Sequence, residues 1–425
     1  MTKFLYKISL LYLIAIIFFI WGWLAVKREV FPYLQIQTHW DDIYTFITES
    51  HQDSTVDIIK LDHQEKKTRF DYSGFKFHDT SYVDQGYLLI SRYSKEKGQV
   101  VVELYSIAQE KMLHRWVPDQ TAIFKMTPNF ANQANTAAAY RSQHPLLMDN
   151  GDIVISSGEG PLVRIDLCGR PVWATERHFH HSIEMNEDGN LLVPIVVSNG
   201  QNDIGVPMRD DGIAEVSPQG EILREHSLYR ILMDNGYRGL IYGVGKFETD
   251  RFHLNDVQPV TDGEVLLSIR NLSSIASLDI NSGNIRWLRT GPWTNQHDVN
   301  MLPDGRVSIF GNDISRSSGK ALQNNSEIYL YDPKTGDIET PFTEILKTTE
   351  MRSPTEGRSR VLANGDAFIE ETNHSRLMRI SSDKLRWEYV NGITHKTVGA
   401  LHWSRYLEAD EVKSELLGRL TCDIP

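Results

Sequence analysis

The strongest constraint on this chain is a repeated unit in which an Asx-Gly or similar turn leads straight into a short β-rich apolar run. The turns are Gln85-Gly86, Asn150-Gly151, Asp188-Gly189, Asp262-Gly263, Asp304-Gly305 and Asn364-Gly365; the runs are YLLIS, DIVISS, NLLVPIVV, EVLLSI, RVSIF and DAFIE. Each reads as a tight hairpin between two strands. A second hairpin follows, as in LVRIDLCGRPVWAT, GIAEVSPQGEILRE, IASLDINSGNIRWL, EIYLYDPKTGDIET and LMRISSDKLRWEYV. Two hairpins make a four-stranded antiparallel unit, and its recurrence at irregular spacing predicts an all-β fold, a six-bladed β-propeller with the count uncertain by one blade. The alternative is a β-sandwich with coincidental turn spacing.

The propeller is expected over 71–425, as one large domain. Before it, Ile8 to Val26 is a run of nineteen residues without a charge, flanked by Lys3 and Lys7 and by Lys27-Arg28. That length crosses a bilayer as a helix. The run ends in Trp21, Trp23 and charge rather than in a small-x-small site, which favours an uncleaved transmembrane helix over a signal peptide. Residues 1–28 are therefore expected to be a membrane anchor with a cytoplasmic N-terminus, 29–70 a juxtamembrane connector, and the propeller is expected on the extracytoplasmic side, periplasmic or at the cell surface. The formal charge of −12, without a large Lys/Arg cluster, argues against nucleic acid as a partner. Cys168 and Cys422 each read as a buried free thiol, with a bridge closing the last blade as the alternative. Two insertions stand out: a polar loop at 197–212 and a partly helical stretch at 226–246.

Aligning the units on their turn glycines puts His181 and His297 in one slot, each eight residues before its glycine, Gly189 and Gly305. His253 lies ten before Gly263, in the same strand region with a two-residue offset, and Arg270 follows EVLLSI in the same unit. Propeller axes gather the inner strands of successive blades, so these residues are expected to converge. His144 is seven before Gly151 and out of register by one, and His180 is expected to point away from its neighbour His181.

Imidazoles beside a guanidinium suit three kinds of chemistry. They can hold a tetrahedral oxyanion through paired N–H donors. One imidazole, kept neutral by nearby positive charge, can act as a nucleophile. Three histidines can also bind zinc, although the set has no His-x-His or HExxH pair and includes an arginine.

The stretches HHSIEMNEDGNLL at 180–192, HLNDVQPVTDGEVLLSIRNLSSIASLD at 253–279 and QHDVNMLPDGRVSIFGND at 296–313 resemble the bacterial arylsulfate sulfotransferases, six-bladed propellers that move a sulfuryl group between phenols without a nucleotide donor. The resemblance extends loosely from about 140 to 380. It implies that His297 is the nucleophile that becomes transiently sulfurylated, that His181, His253 and Arg270 hold the sulfuryl oxygens, and that Asn255 hydrogen-bonds beside them. Thr355, in RSPTEG, matches a hydroxyl-bearing position of the family. An aryl sulfate and a phenol would be the partners; no cofactor and no metal are implied. A non-catalytic envelope propeller that binds a partner or an anionic ligand is the alternative on the same fold.

Overall fold

The apolar runs after the turns do not alternate with polar residues, because they become strands buried on both faces. In a computed structural model of the chain, Leu88, Leu89 and Ile90 are fully buried, as are Leu266 and Leu267 and also Ile309 and Phe310. A sheet covered on both sides by its neighbours needs such a run, whereas outer strands such as Asn284–Thr290 stay partly exposed. The structure describes residues 13–14, 16–22, 64–131, 140–243, 248–315 and 319–422.

The chain divides into two compact units, Met1–Lys60 and Leu61–Pro425. In the first, residues 13–14 and 16–22 are helical. The expected anchor at 1–28 and connector at 29–70 otherwise lie mostly outside the described residues. Among the described residues no helix is long and apolar enough to cross a membrane.

The second unit is an all-β, propeller-like arrangement of antiparallel sheets. One four-stranded sheet is ordered Arg405–Leu407, Tyr87–Ser94, Gln99–Ser106, Lys111–Trp116. Two more follow the chain directly: Leu254–Pro259 to Asn284–Thr290, and Val299–Met301 to Ile338–Glu339. A five-stranded sheet runs from Arg358–Val361 to Leu385–Val390 and takes Gly74–Phe77 on its outer edge. An eight-stranded sheet spans Gln143–Leu147 to Ile222–Ser227, and a two-stranded one pairs Glu65–Lys67 with Thr397–Gly399. Six separate blades were expected, but only four sheets of four or five strands stand alone. The two units after Asn150-Gly151 and Asp188-Gly189 share the eight-stranded sheet, joined through the pair Phe179 and Ile195. The β-sandwich alternative is overturned by the number of separate sheets.

Both ends of this unit are sewn into the ring. The strand Arg405–Leu407, near the C-terminus, is the inner strand of the sheet whose other members lie near the start, pairing Tyr406 with Leu88. Gln85-Gly86 is not the hairpin turn expected, because the strand it precedes pairs with one at the far end of the chain, and Gly86 is needed for another reason: a Cβ at that position would run into the ring of Tyr406. By contrast, Gly151, Gly189, Gly263, Gly305 and Gly365 take φ between 73° and 90°, the left-handed values their turns require.

Neighbouring inner strands are laced by side chains that accept backbone N–H groups. Ser182 Oγ accepts from Val257 at 3.0 Å, Asp256 Oδ2 from Val299 at 3.1 Å and Asp298 Oδ2 from Ser359 at 3.1 Å. Such bonds satisfy inner-edge amides that have no next strand to pair with.

Two other expectations are corrected. Residues 197–212 are not an irregular loop: Leu191–Gln201 and Pro207–Val216 pair along their whole length as one long hairpin. The cysteines are not free thiols, because Cys168 and Cys422 form a disulfide. It ties an outer hairpin turn to the C-terminal tail, whose Val412, Leu416 and Leu420 pack with Trp116 and Ile153. The stretch at 226–246 does contain helices, Leu228–Asp234 and Arg238–Tyr242, which bury Leu228, Leu232 and Ile241 in an apolar layer with Leu254 and Val257.

Candidate active site

At the start of each inner strand the backbone carries a residue with positive φ. These are His144 (47°), His181 (59°), His253 (52°), Asn295 (51°), Glu356 (61°) and Trp403 (60°). A side-chain-bearing residue rarely takes this conformation, least of all tryptophan, and such positions gather where function constrains the backbone. The left-handed step turns each segment from its approach to the axis into the strand.

This corrects the register read from the turn glycines. His181, His253 and Asn295 share the left-handed slot, and in each case a carboxylate stands three residues later: Glu184, Asp256 and Asp298. His253 and Asn295 both lie ten before their glycine, so the segment of His181 is the shorter one. His297 is therefore equivalent to Asn255, not to His181. The set nevertheless converges. The ring of His181 lies 5.0 Å from that of His253 and 6.2 Å from that of His297.

His297 is almost fully buried, and its two ring nitrogens have different surroundings. Nδ1 is 2.6 Å from Asn312 Oδ1 and 3.2 Å from the Asn295 carbonyl. The Asn312 amide is oriented by its other end, since Nδ2 donates to the carbonyls of Ser353 and Glu356, both at 2.6 Å. Oδ1 can only accept, so Nδ1 must carry the proton. Nε2 then holds the lone pair, and it accepts the backbone N–H of Glu356 at 3.2 Å. Burial, with Arg270 next, holds the imidazole well below its ordinary pKa, so it is neutral at neutral pH. His181 is shifted the same way by burial, followed by His253, His180, His297 and Arg270.

The flanking residues are held through the backbone. Arg270 opens a short 3₁₀ turn, and its N–H bonds the carbonyl of His253 at 3.2 Å. His253 Nδ1 lies 2.5 Å from Asp250 Oδ2. Asn255 is fully buried, and its Nδ2 donates to the Gln296 carbonyl at 3.1 Å, so it braces the segment that carries His297. Thr355 bonds Asn373 through both its N–H (3.1 Å) and its Oγ1 (2.9 Å), one residue before the Glu356 amide on His297.

Several site residues were not foreseen. His180 does not point away from His181: their Nδ1 atoms are 2.8 Å apart, because the left-handed step at His181 breaks strand alternation. Trp403 is fully buried, with its ring 5.5 Å from His181, 6.0 Å from His297 and 5.6 Å from His144. No turn glycine follows Trp403 in sequence, because its hairpin partner is at the other end of the chain. Asp250, Asn312 and Glu356 carried no pattern on their own.

Beneath the histidines lies a buried charged layer. Arg405 bonds Glu184 at 3.0 Å, Arg358 lies 3.4 Å from Asp298, and His144 sits against Arg358 while its Nδ1 accepts the Ile183 N–H at 2.9 Å. His144 thus belongs to this layer, not to the upper set. Burial, then Asp298 and Glu184, push the Asp256 carboxyl well above the usual carboxylate range, and burial raises Asp298 as well, with Arg358 acting against it. Among the described residues no three His, Cys, Asp or Glu side chains are grouped as metal ligands would be, so the zinc alternative has no geometric support.

A family model described as arylsulfotransferase (ASST) matches residues 144–392, more than half of the chain and the stretch that holds every upper-layer histidine. No curated protein matches. Among solved structures, a protein of unknown function from Bacteroides caccae is 13% identical over 76% of this chain and 99% of its own, with a TM-score of 0.50. Virginiamycin B lyase from Staphylococcus aureus is 12% identical, covering 76% and 90%, with a TM-score of 0.39. Hydrazine synthase from Kuenenia stuttgartiensis is 12% identical, covering 73% and 81%, with a TM-score of 0.40. The first of these likenesses is one of fold only.

Proposed function

The chain belongs to the arylsulfotransferase family, and from that premise we propose that it moves a sulfuryl group from an aryl sulfate to a phenol through a sulfohistidine at His297. The observation that carries the reading is the fixed tautomer of His297, with Nδ1–H on Asn312 and the lone pair on Nε2 beside His181, His253 and Arg270. A neutral, oriented imidazole is the nucleophilic form, and a covalent intermediate divides the transfer into two displacements. In the first, Nε2 attacks sulfur and the S–O bond to the aryl group breaks. In the second, a phenol oxygen attacks sulfur and the S–N bond breaks, returning the electron pair to Nε2.

The sulfuryl oxygens gain charge in both displacements, and positioned donors stabilise it without reorganising. Arg270, His181 and His253 supply such donors. The Glu356 N–H, freed from Nε2 when the S–N bond forms, becomes one more. Asn255 acts by holding the His297 segment through Gln296, and Thr355 by holding the Glu356 segment through Asn373.

The same reading extends to architecture and location. We count the eight-stranded sheet as two blades, each a four-stranded meander, which gives six radial units. The Cys168–Cys422 disulfide supports an oxidising compartment. Together with the uncharged run from Ile8 to Val26, it favours a membrane-anchored propeller on the extracytoplasmic side.

The test is mass spectrometry of the protein after exposure to 4-nitrophenyl sulfate. A sulfuryl adduct on His297, lost in His297→Ala, is expected, with transfer to added phenol. Absence of both adduct and transfer would leave a binding propeller as the better description.

A further inference from the structure

The upper-layer histidines are not electrostatically alike. His297 offers its Nδ1–H to a neutral amide, Asn312, whereas His253 lies 2.5 Å from a carboxylate, Asp250. An amide accepts the proton without favouring a charged ring. A carboxylate at hydrogen-bond distance favours the imidazolium and fixes its orientation. Two imidazoles with rings close to the same His181 are thereby set up for different tasks.

We propose that Asp250 and His253 form the acid–base pair of this site, with Asp250 as the positioning residue and His253 Nε2 exchanging the proton with the aryl oxygens. The proposal rests on the sulfohistidine reading above. Three further observations support it. His253 is about one-fifth exposed, while His297 is nearly sealed, so His253 faces the side from which an aryl group must enter. Its Nε2 has no hydrogen-bond partner among the described residues, whereas both nitrogens of His297 are engaged. Asp250 is held in place by the turn that carries Arg270, because Asn271 Nδ2 donates to the Asp250 carbonyl at 2.7 Å and Asn271 N–H to that of Phe252 at 2.9 Å. Burial pushes the Asp250 carboxyl up, but the hydrogen bond and charge of His253 outweigh this and hold it below its ordinary pKa. Asp211, which raises it, and Arg209, which lowers it, also act on it.

The protons and electrons balance. As the S–O bond of the donor breaks, the electron pair goes to the aryl oxygen, and Nε2–H of the His253 imidazolium gives it a proton, so that a phenol leaves. His253 is then neutral, with Nδ1–H still on Asp250. The acceptor phenol gives its proton to Nε2 as its oxygen attacks sulfur, which restores the imidazolium while Nε2 of His297 recovers its pair. The pair would therefore matter most for aryl sulfates of weakly acidic phenols. Their aryl oxides are poor leaving groups unless protonated, whereas 4-nitrophenolate leaves readily without a proton. This assigns the site a substrate class that includes unactivated aryl sulfates.

The experiment measures single-turnover release of phenol by the full chain across a series from 4-nitrophenyl to 4-methylphenyl sulfate, for the native protein, Asp250→Asn and His253→Gln. The expected result for Asp250→Asn, which leaves the His253 donor in place, is a loss of about 10²- to 10⁴-fold at the 4-methylphenyl end and a much smaller loss with 4-nitrophenyl sulfate, which still sulfurylates His297; His253→Gln, which also removes a donor to the sulfuryl oxygens, should lower the whole series and add the same steeper loss at the 4-methylphenyl end. Asp250→Glu should recover part of the loss. A structural role for Asp250 would lower the whole series by one factor. That parallel result, with the His297 adduct still forming, would overturn the acid–base pair and leave the sulfohistidine standing. Absence of the adduct in the native protein would overturn both.

Discussion

Replacing Asn312 by aspartate changes the charge next to the nucleophile while keeping the side-chain shape. In the native chain Oδ1 accepts from His297 Nδ1–H at 2.6 Å, and Nδ2 donates twice. In Asn312→Asp the same proton meets a carboxylate. A hydrogen bond to a charged group is worth about 1.5–3 kcal/mol, against about 0.5–1.5 for a neutral one. The difference of about 1 kcal/mol or more, now favouring the imidazolium, raises the imidazole pKa by about one unit. The direct Coulomb attraction, about 4 kcal/mol for unit charges near 4 Å at an effective dielectric of about 20, sets an upper bound near three units. The nucleophile reacts when neutral, that is, above its pKa. The native value lies well below 6.5, so the burst of 4-nitrophenol should be flat with pH down through 6.5. In Asn312→Asp the acidic limb should move up by about one to three units. Asn312→Ala is the control: it loses the bracing of Ser353 and Glu356 but adds no charge, so its burst should be slower without the same displacement of the limb. Superimposable pH profiles for native protein and Asn312→Asp, with both folded by circular dichroism, would refute the claim that Asn312 sets the tautomer and charge of His297.

Three further outcomes concern other groups of the fold. Burial raises both carboxyls, Asp256 further than Asp298, which lies 3.4 Å from Arg358, so Asp256→Asn should cost less than Asp298→Asn, which leaves Arg358 without that partner and should cost about 3–5 kcal/mol in denaturant melts; equal effects would contradict this ordering. His402, buried with Nε2 3.1 Å from Gln64, has its pKa pushed well below 6.5 by burial first and then by Arg141 and Lys66. The unfolded chain therefore binds a proton that the folded one does not as pH falls below 6.5, so this contribution is complete above that value and shrinks below it; one unit lower, the native chain should lose about 1.4 kcal/mol relative to His402→Gln, read from melting curves against pH. Finally, Cys168→Ser with Cys422→Ser removes a cross-link between residues 254 apart and should cost about 2–5 kcal/mol, seen as a lower Tm than that of the oxidised native chain.

What could be read in advance, and what could not, divides along a physical line. The strands were legible because a blade covered on both faces demands short unbroken apolar runs, and because each tight turn demands a left-handed glycine. The convergence of His181, His253 and His297 was legible too, since inner strands of neighbouring blades must meet. Their register was not. Counting back from a turn glycine assumes that every inner segment is equally long, and the segment after His181 is two residues shorter than those after His253 and Asn295. The same left-handed step that sets the slot destroys strand alternation there, so His180 turns toward His181 instead of away from it. Trp403 escaped because ring closure pairs its strand, at the C-terminal end, with Tyr87–Ser94 near the start, so that no hairpin turn follows it to count back from. Asp250 lay three residues from His253 and Asn312 fifteen from His297, yet nothing in their spacing showed that one histidine would meet a carboxylate and the other a neutral amide. That distinction arises only when folding decides which acceptor each Nδ1–H meets. It follows that exchanging the acceptors, Asp250→Asn together with Asn312→Asp, should not restore what either change removes: the proton donor would lose its counter-ion while the nucleophile gained one. Activity toward unactivated aryl sulfates at or above the level of the better single variant would show that the two histidines are interchangeable after all.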